Sequence, residues 1–187
     1  MNARTLSLFV IGATMMACGK RVEPGSVSPQ AMADALYSVM SADREVYARE
    51  VVNRLEYQER IIKADEHYKD NKGLPLPAQM FRMGAELSHR QNGSFSYSLL
   101  SPWPINKLNG PKTEVEQMGL RTVAETGKNY YTEETLGGRH YFAAFYPDKA
   151  VVDACSNCHN NHADSPRKDF KVGDVIGGVV IRVPIER

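Results

Sequence analysis

Apolar residues recur at helical spacing over the first half of the chain. Ser28 followed by proline predicts a helix start, because a hydroxyl can cap the helix and proline at the first helical position loses no hydrogen bond. Apolar positions then recur at roughly helical spacing to about residue 66, with a possible break near Ser41, which predicts one long N-terminal helix or two helices in line. Further helices are predicted over residues 77–89 and after a capping box formed by Thr113 and Glu116.

The pattern changes to a period of two in the segments that follow the second helix. Residues 95–99 alternate apolar side chains with serine, as a half-buried strand does. Residues 129–135 and 139–146 flank a Gly-Gly pair and are predicted to form a hairpin, and residues 174–184 are predicted to form a last apolar strand. Helices followed by antiparallel strands predict an α+β fold.

Residues 1–18 have the pattern of an export signal, with a short polar start, an apolar run and small residues before Cys18. The apolar run is too short to cross a bilayer as a helix, which needs about 20 residues. The segment resembles a bacterial lipoprotein signal with Cys18 as the lipidated residue; an ordinary secretory signal followed by a free thiol is the alternative. Residues 19–27 would then form a flexible tether. We expect an exported, lipid-anchored protein on the periplasmic side, and Gly19 favours the outer membrane by resemblance to common sorting signals.

The remaining residues 28–187 are expected to form a single domain with its own core. The 187-residue chain has 23 basic and 22 acidic residues, a formal net charge of +1 and 42% hydrophobic residues. This composition is that of a soluble globular domain and provides no field of one sign to attract nucleic acid. We therefore expect no nucleic-acid partner.

A C-x-x-C-H pentad occupies residues 155–159 and is the strongest chemical signal in the chain. This pentad is the attachment signature of c-type haem. Thiols at Cys155 and Cys158 can reach the two vinyl groups of one porphyrin, and this attachment places His159 beneath the iron. The export signal agrees with this prediction, because c-type haem is attached outside the cytoplasm.

Two alternatives to haem need a different setting. A thioredoxin-like redox pair needs the cysteines at a helix N-terminus after a strand in a βαβ unit, where the thiol pKa is lowered, and the neighbouring residues do not predict that setting. A zinc site needs more ligands, and only His162 is near. If Cys18 carries lipid and the pentad carries haem, the chain has no thiol left to form a disulfide.

Three blocks together resemble the bacterial c-type-haem, PAS-like sensor-domain family, formerly described as a domain of unknown function. The blocks are LPLP at residues 74–77, SPWPIN at 101–106 with Gly110-Pro111, and the pentad with its continuation to residue 174. The resemblance covers about residues 45–185. It implies a small antiparallel sheet flanked by helices, one covalent haem c in a pocket, and a role in redox or gas sensing or in electron transfer.

The second iron ligand is left open by the sequence. The resemblance implies, for some members of the family, a cysteine ligand on the helix before the first strand, and this chain has no cysteine there. Met80 and Met83 share a face of that helix and are the candidates, because a thioether suits iron(II), although both could be core residues. Weaker candidates are His67 and His89, while His162 lies close in sequence to the first ligand.

Several further residues are candidates for the haem pocket. Trp103, Ile105 and Asn106 could cover a haem edge, because Pro102 and Pro104 stiffen their loop. The candidates for pairing with the haem propionates are Arg139, Arg167 and Lys168, each of which could instead be a solvated surface charge. His140 lies within an apolar strand and is expected to be a core residue rather than a ligand.

Three functions are compatible with these predictions. The first is a haem sensor of redox state or of a small gas ligand, and the alternative is a monohaem electron carrier tethered to a membrane. A peroxidase-like enzyme would need a vacant iron and a distal acid–base histidine, which nothing in the sequence indicates. We expect a redox protein rather than an enzyme, with a redox or signalling protein as its partner.

Overall fold

The computed structural model describes residues 26–91 and 93–186. The predicted signal peptide, Cys18 and most of the tether lie outside the described residues. Among the helices of the described ranges, none combines the length and apolar character that crossing a membrane requires.

A long helical rod opens the described part of the chain. Helix α1 (Pro29–Val46) is capped by Ser28, whose side chain accepts a hydrogen bond from the backbone N–H of Ala31 at 3.1 Å. The rod continues without a break as a π-helical segment, Tyr47–Gln58. The long N-terminal helix is thus confirmed, but its predicted end at residue 66 is wrong. Arg60 adopts a φ of 56°, a left-handed conformation that helix geometry does not allow, and the chain leaves the rod as a loop.

The other predicted helices are present. They are α2 (Pro77–Gln91) and α3 (Glu114–Thr126). A further helix that the sequence pattern did not predict, α4 (Asp153–Asn161), contains the C-x-x-C-H pentad. Thr113 and Glu116 form the predicted capping box at the start of α3, with the Thr113 hydroxyl accepting the Glu116 N–H at 3.0 Å.

Four strands form one antiparallel sheet. They are β1 (Ser96–Leu100), β2 (Tyr130–Leu136), β3 (Arg139–Lys149) and β4 (Val175–Pro184), in the order β1-β4-β3-β2. Gly137 and Gly138, with φ values of 56° and 79°, make the turn between β2 and β3, as the Gly-Gly pair predicted. The small antiparallel sheet and the α+β class are confirmed.

Helices cover both faces of the sheet, because successive residues of β3 and β4 bury their side chains on opposite faces. On one face Tyr146 and Ile181 pack in a cluster with residues of α1 and α2, including Phe81. On the other face Phe145 and Val180 pack against α3. The central strands are thereby buried on both sides and form a rigid base.

A small third cluster lies beyond the end of β3 and fixes the position of α4. Ala150, Phe170 and Ile176 are buried there, with Trp103 and Cys155 packed against them. The cluster joins the segments before and after α4 to the loop that follows β1. It therefore brings the C-x-x-C-H helix and the Trp103 loop to the same end of the sheet.

Candidate functional site

Helix α4 brings the three residues of the pentad that carry its chemistry onto one side. Cys155, Cys158 and His159 are at positions i, i+3 and i+4 of the helix, and such positions are neighbours on a helix surface. Both cysteines are free thiols and partly buried. The helix thus presents two sulfur atoms and an imidazole in one direction.

That side of α4 forms one wall of a large pocket. The pocket has a volume of about 870 Å³, and all three pentad residues line it. A volume of this size is within the range of about 300–1,000 Å³ typical of ligand and cofactor sites. The long helical rod supplies a second wall through residues spaced four apart: Arg44, Ala48, Val52 and Glu56. Ala48 and Val52 are buried and small, which leaves room between the rod and α4.

His159 carries the imidazole that faces this site. Burial lowers its pKa below the ordinary value, and the positive charges of Arg44 and His162 lower it further. The ring is therefore neutral at neutral pH, which is the form that binds metals. Its Nδ1 atom is buried without a hydrogen-bond partner, and the ring packs edge-on against Phe170 with centroids 5.7 Å apart. The imidazole is held by packing and retains its capacity as a ligand.

The setting of the cysteines differs in one respect from the sequence-based expectation. The pair does lie early in a helix that follows a strand, although the flanking residues did not predict this. However, β3 and β4 are antiparallel, so the unit is not βαβ. Burial raises the pKa of the Cys158 thiol, as do the negative charges of Glu56 and Glu66. A redox cysteine of the thioredoxin type needs a lowered pKa, and Cys158 therefore does not have the setting of such a reactive thiol.

The zinc alternative requires additional ligands close to the cysteines. Within residues 26–91 and 93–186, no group of three or more histidine, cysteine, aspartate or glutamate side chains is arranged to hold a metal ion. The described residues therefore give this alternative no support.

The loop predicted to cover the cofactor lies at the pocket. Trp103, Ile105 and Asn106 all line it. The Ser101 hydroxyl anchors the loop, because it accepts the Trp103 N–H at 2.9 Å and donates to the carbonyl of Ile176 at 2.7 Å. Covering of a haem edge by this loop stays a prediction, and the hydroxyl that ties the loop to β4 was not predicted.

The two methionines predicted as iron ligands are not among the residues that line the pocket. Helix α2 lines it instead with Pro77, Ala78, Gln79 and Arg82. Ala78 and Arg82 are one turn apart, whereas Met80 points about 200° away from Ala78 because each helical residue turns the direction by about 100°. Met83 is 37% exposed, and its sulfur accepts a hydrogen bond from the Tyr68 hydroxyl at 3.5 Å. The prediction of Met80 or Met83 in the pocket is therefore corrected.

The basic residues predicted to bind propionates are also elsewhere. Arg139 lies at the hairpin end of β3, over the ring of Tyr141. Arg167 lies behind the pocket wall, with its guanidinium 4.6 Å from the Trp103 ring centroid and its Nε atom 2.6 Å from an oxygen of Asp169. Lys168 is exposed and does not line the pocket. These positions correct the prediction, and the arginines that do line the pocket are Arg44 and Arg82.

Arg44 forms a buried ion pair that sequence reasoning missed. Its guanidinium donates to both carboxylate oxygens of Asp148, at 2.5 and 3.1 Å. The two side chains are only 12% and 8% exposed, and both line the pocket. Burial raises the pKa of Asp148, and the adjacent Arg44 opposes this shift. The Nε atom of Arg44 is buried and has no partner, so one donor is still unused.

Two more histidines reach the pocket wall, His67 and His162. His162 caps the end of α4, and its Nε2 atom lies 2.9 Å from a carboxylate oxygen of Glu66. His89 and His140 do not line the pocket, and His140 is hydrogen-bonded to the hydroxyl of Thr135.

Comparisons with known proteins agree with this fold. Residues 25–184 match the family model described as "Tll0287-like: Tll0287". The structure is similar to one titled "Crystal structure of the cyanobacterial heme-protein Tll0287", with a TM-score of 0.56 and 12% sequence identity over 86% of this chain and 99% of that chain. At this identity the likeness shows the fold alone. No curated protein matches the chain. Because the family model spans most of the sequence, the chain belongs to the Tll0287-like family.

Proposed function

We propose that this chain binds one haem c in the pocket beside α4. The observation that carries the proposal is the placement of Cys155, Cys158 and His159 on one side of a single helix, at the wall of a pocket of about 870 Å³. The protein of similar fold is itself described as a heme protein. When bound, the haem would supply an iron atom that changes its oxidation state or its ligand.

The residues present fit such a group. Each thiol would form a thioether by addition across one vinyl group, with sulfur bonded to one carbon and its proton transferred to the other, so that no external oxidant is consumed. His159 would bind the iron as a neutral imidazole. The Trp103 loop and the small side chains of the rod would contact the flat apolar faces, and Arg44 and Arg82 are the arginines that could pair with carboxylates there.

Sensing of redox state or of a small gas ligand is the role that we infer first, in a PAS-like arrangement. Five residues of the pocket wall belong to the long helical rod, which begins directly after the predicted tether. A change in iron ligation would act on this rod through the wall that it forms. A signal could then pass to a separate protein partner along the N-terminal helix.

Electron transfer is the second candidate, and an exposed aromatic side chain at the pocket favours it. Tyr57 lines the pocket and is 39% exposed. An exposed aromatic residue beside a haem edge would suit transient contact with a redox partner. In this role the iron would keep both of its ligands, whereas a gas sensor needs a labile or vacant position.

We also propose export and anchoring through a lipid on Cys18, with the domain on the periplasmic side, at the outer membrane in preference to the inner one. Two or more acyl chains make membrane attachment stable, so the wild-type protein should remain with membranes in high salt. Cys18→Ser should release it. Equal release of both proteins would contradict the anchor.

Covalent attachment tests the haem proposal. Protein produced with a haem c assembly system should keep its pigment after denaturation and acid–organic extraction, because thioether bonds survive both treatments. Transfer of the pigment into the organic layer would contradict it. Carbon monoxide added to the reduced protein then separates the roles, since rapid binding supports the gas sensor and no binding supports the carrier.

A further inference from the structure

His67 differs from His162, the other histidine at the pocket besides His159, in having no side-chain partner. Within the described residues, no hydrogen bond or ion pair involves its ring, although His67 lines the pocket. Both ring nitrogens of His162 are engaged, because Nδ1 accepts the Asp164 N–H at 3.1 Å and Nε2 contacts Glu66. His162 also lies only three residues from His159. His67 therefore has a free imidazole that comes from a different segment of the chain.

The backbone around His67 is nevertheless well fixed. Its N–H donates to a carboxylate oxygen of Asp65 at 2.6 Å, and its carbonyl accepts the N–H groups of Asp70 and Asn71, both at 3.0 Å. The preceding residues pair with the end of the same loop through a parallel bridge between Ala64 and Leu74. The loop thus holds the His67 backbone in one conformation while its ring is free to bind.

Three walls of the pocket hold this loop in place. The amide of Gln79 on α2 donates to the carbonyl of Glu66 at 2.8 Å, and Glu66 itself contacts His162 at the end of α4. On the side of the rod, a carboxylate oxygen of Glu56 accepts the N–H of Ala64 at 3.0 Å. Glu66 is thus the direct neighbour of His67 and is bound from two sides. This network positions the His67 segment against the pocket.

We propose that His67 is the second protein ligand of the iron, in addition to His159, and that Glu66 positions His67. The proposal rests on the proposed haem c function. It assigns an imidazole where the sequence had suggested a thioether, since Met80 and Met83 do not line the pocket. Ligation by two imidazoles gives low-spin iron with a lower reduction potential than ligation by histidine and methionine.

The test compares ferric absorption and electron paramagnetic resonance spectra of wild-type protein, His67→Ala and His67→Met, with His89→Ala and Met83→Ala as controls. His89 and Met83 are exposed and lie outside the pocket lining, so their substitution should leave the spectra unchanged. His67→Ala should lose the bis-imidazole signal, bind carbon monoxide when reduced, and regain the low-spin spectrum with added imidazole. His67→Met should acquire a sulfur-to-iron charge-transfer band and a higher potential.

Glu66→Gln tests the positioning role. It should keep the low-spin spectrum but bind carbon monoxide faster than wild type when reduced, because the loop that holds His67 is loosened. A rate equal to that of wild type would overturn the role of Glu66.

A denaturing haem stain of each sample separates this inference from the proposed function. If wild-type protein carries covalent haem and His67→Ala has the wild-type spectrum, the ligand assignment is wrong while the haem proposal stands. If Met83→Ala loses the low-spin signal instead, the ligand is a methionine. If wild-type protein takes up no covalent haem, the proposed function fails first and the ligand assignment with it.

Discussion

Two buried arginines in this domain show how similar burial can serve different purposes. Arg44 and Arg182 are each 12% exposed and paired with carboxylates. Arg182 on β4 donates to Glu134 at 2.6 Å and to Glu116 at 2.8 Å, and so joins β4 to β2 and α3. Arg44 has a single carboxylate partner, lies at the pocket and keeps an unused Nε donor. The Arg182 arrangement joins elements of the core, whereas the Arg44 pair leaves hydrogen-bonding capacity at the pocket.

The charge balance of the two clusters also differs. Two carboxylates meet Arg182, and they hold its pKa above the ordinary value despite the opposing effect of burial, which is the largest single influence. At Arg44 one positive and one negative group form a neutral pair beside His159. Removing a charge from the pair of Arg44 and Asp148 should therefore alter the reduction potential at the pocket. Removing a charge from the Arg182 cluster should instead alter the free energy of unfolding.

Arg182→Met gives the largest expected effect on stability. Removing the arginine leaves Glu116 and Glu134 buried without their cation, which costs about 3–5 kcal/mol when a buried ion pair is broken. Urea denaturation measures this loss. Arg121→Met on the exposed side of α3 is the control and should change the free energy of unfolding by less than about 0.5 kcal/mol. Equal losses in the two variants would remove the distinction between core and surface.

Asp148→Asn should shift the reduction potential of the bound haem upward. The change leaves the positive charge of Arg44 uncompensated at the pocket, and a nearby positive charge favours the reduced iron. Glu134→Gln is the matched control, because it removes one carboxylate charge from the Arg182 cluster, which does not line the pocket. Spectroelectrochemical titration should show the shift for Asp148→Asn and a smaller change for Glu134→Gln. The reverse order would contradict the difference between the two clusters.

The pH dependence of stability should distinguish Asp148 from an ordinary aspartate. Burial raises its pKa in the folded state, so the folded protein binds more protons there than the unfolded chain does. This contribution makes stability fall as pH rises from the unfolded pKa to the raised folded pKa. Asp148→Asn should remove that part of the slope in denaturation measured across this window. An unchanged slope would show that Asp148 titrates normally.

An exposed ion pair on the rod gives the smallest expected effect. Arg49 and Glu45 are four residues apart with a contact of 2.6 Å, and their side chains are 45% and 47% exposed. Such helix pairs contribute about 0.3–0.5 kcal/mol, and salt screens them. Arg49→Ala should therefore cost no more than about 0.5 kcal/mol in urea denaturation. A loss comparable to that of Arg182→Met would mean that burial does not set the order of these effects.

The sequence predicted those features that depend on neighbouring residues. The cap at Ser28, the capping box at Thr113 and the Gly-Gly hairpin turn all arise within a few residues, and the structure confirms them. Helical periodicity predicted the rod, but the spacing of its apolar residues was too irregular to distinguish the α-helical part from the π-helical part. The end of the rod at Gln58 depends on a loop whose support comes from distant elements.

The site was predictable only where its chemistry is local. The pentad occupies five consecutive residues, so its motif was visible, as was the loop of Trp103. The pair of Arg44 and Asp148 joins positions 104 residues apart, and no local pattern indicates such a partner. The pocket-facing side of α2 is set by its packing on the sheet through Phe81, which is why the methionine stripe suggested the wrong face.

The intact mass of the purified, denatured protein tests the central proposal most directly. Wild-type protein made with a haem c assembly system should exceed its polypeptide mass by the mass of one haem, and the double variant Cys155→Ala/Cys158→Ala should have the polypeptide mass alone. Wild-type protein with the unmodified polypeptide mass, or a double variant that still carries haem covalently, would contradict attachment through the two cysteines of α4.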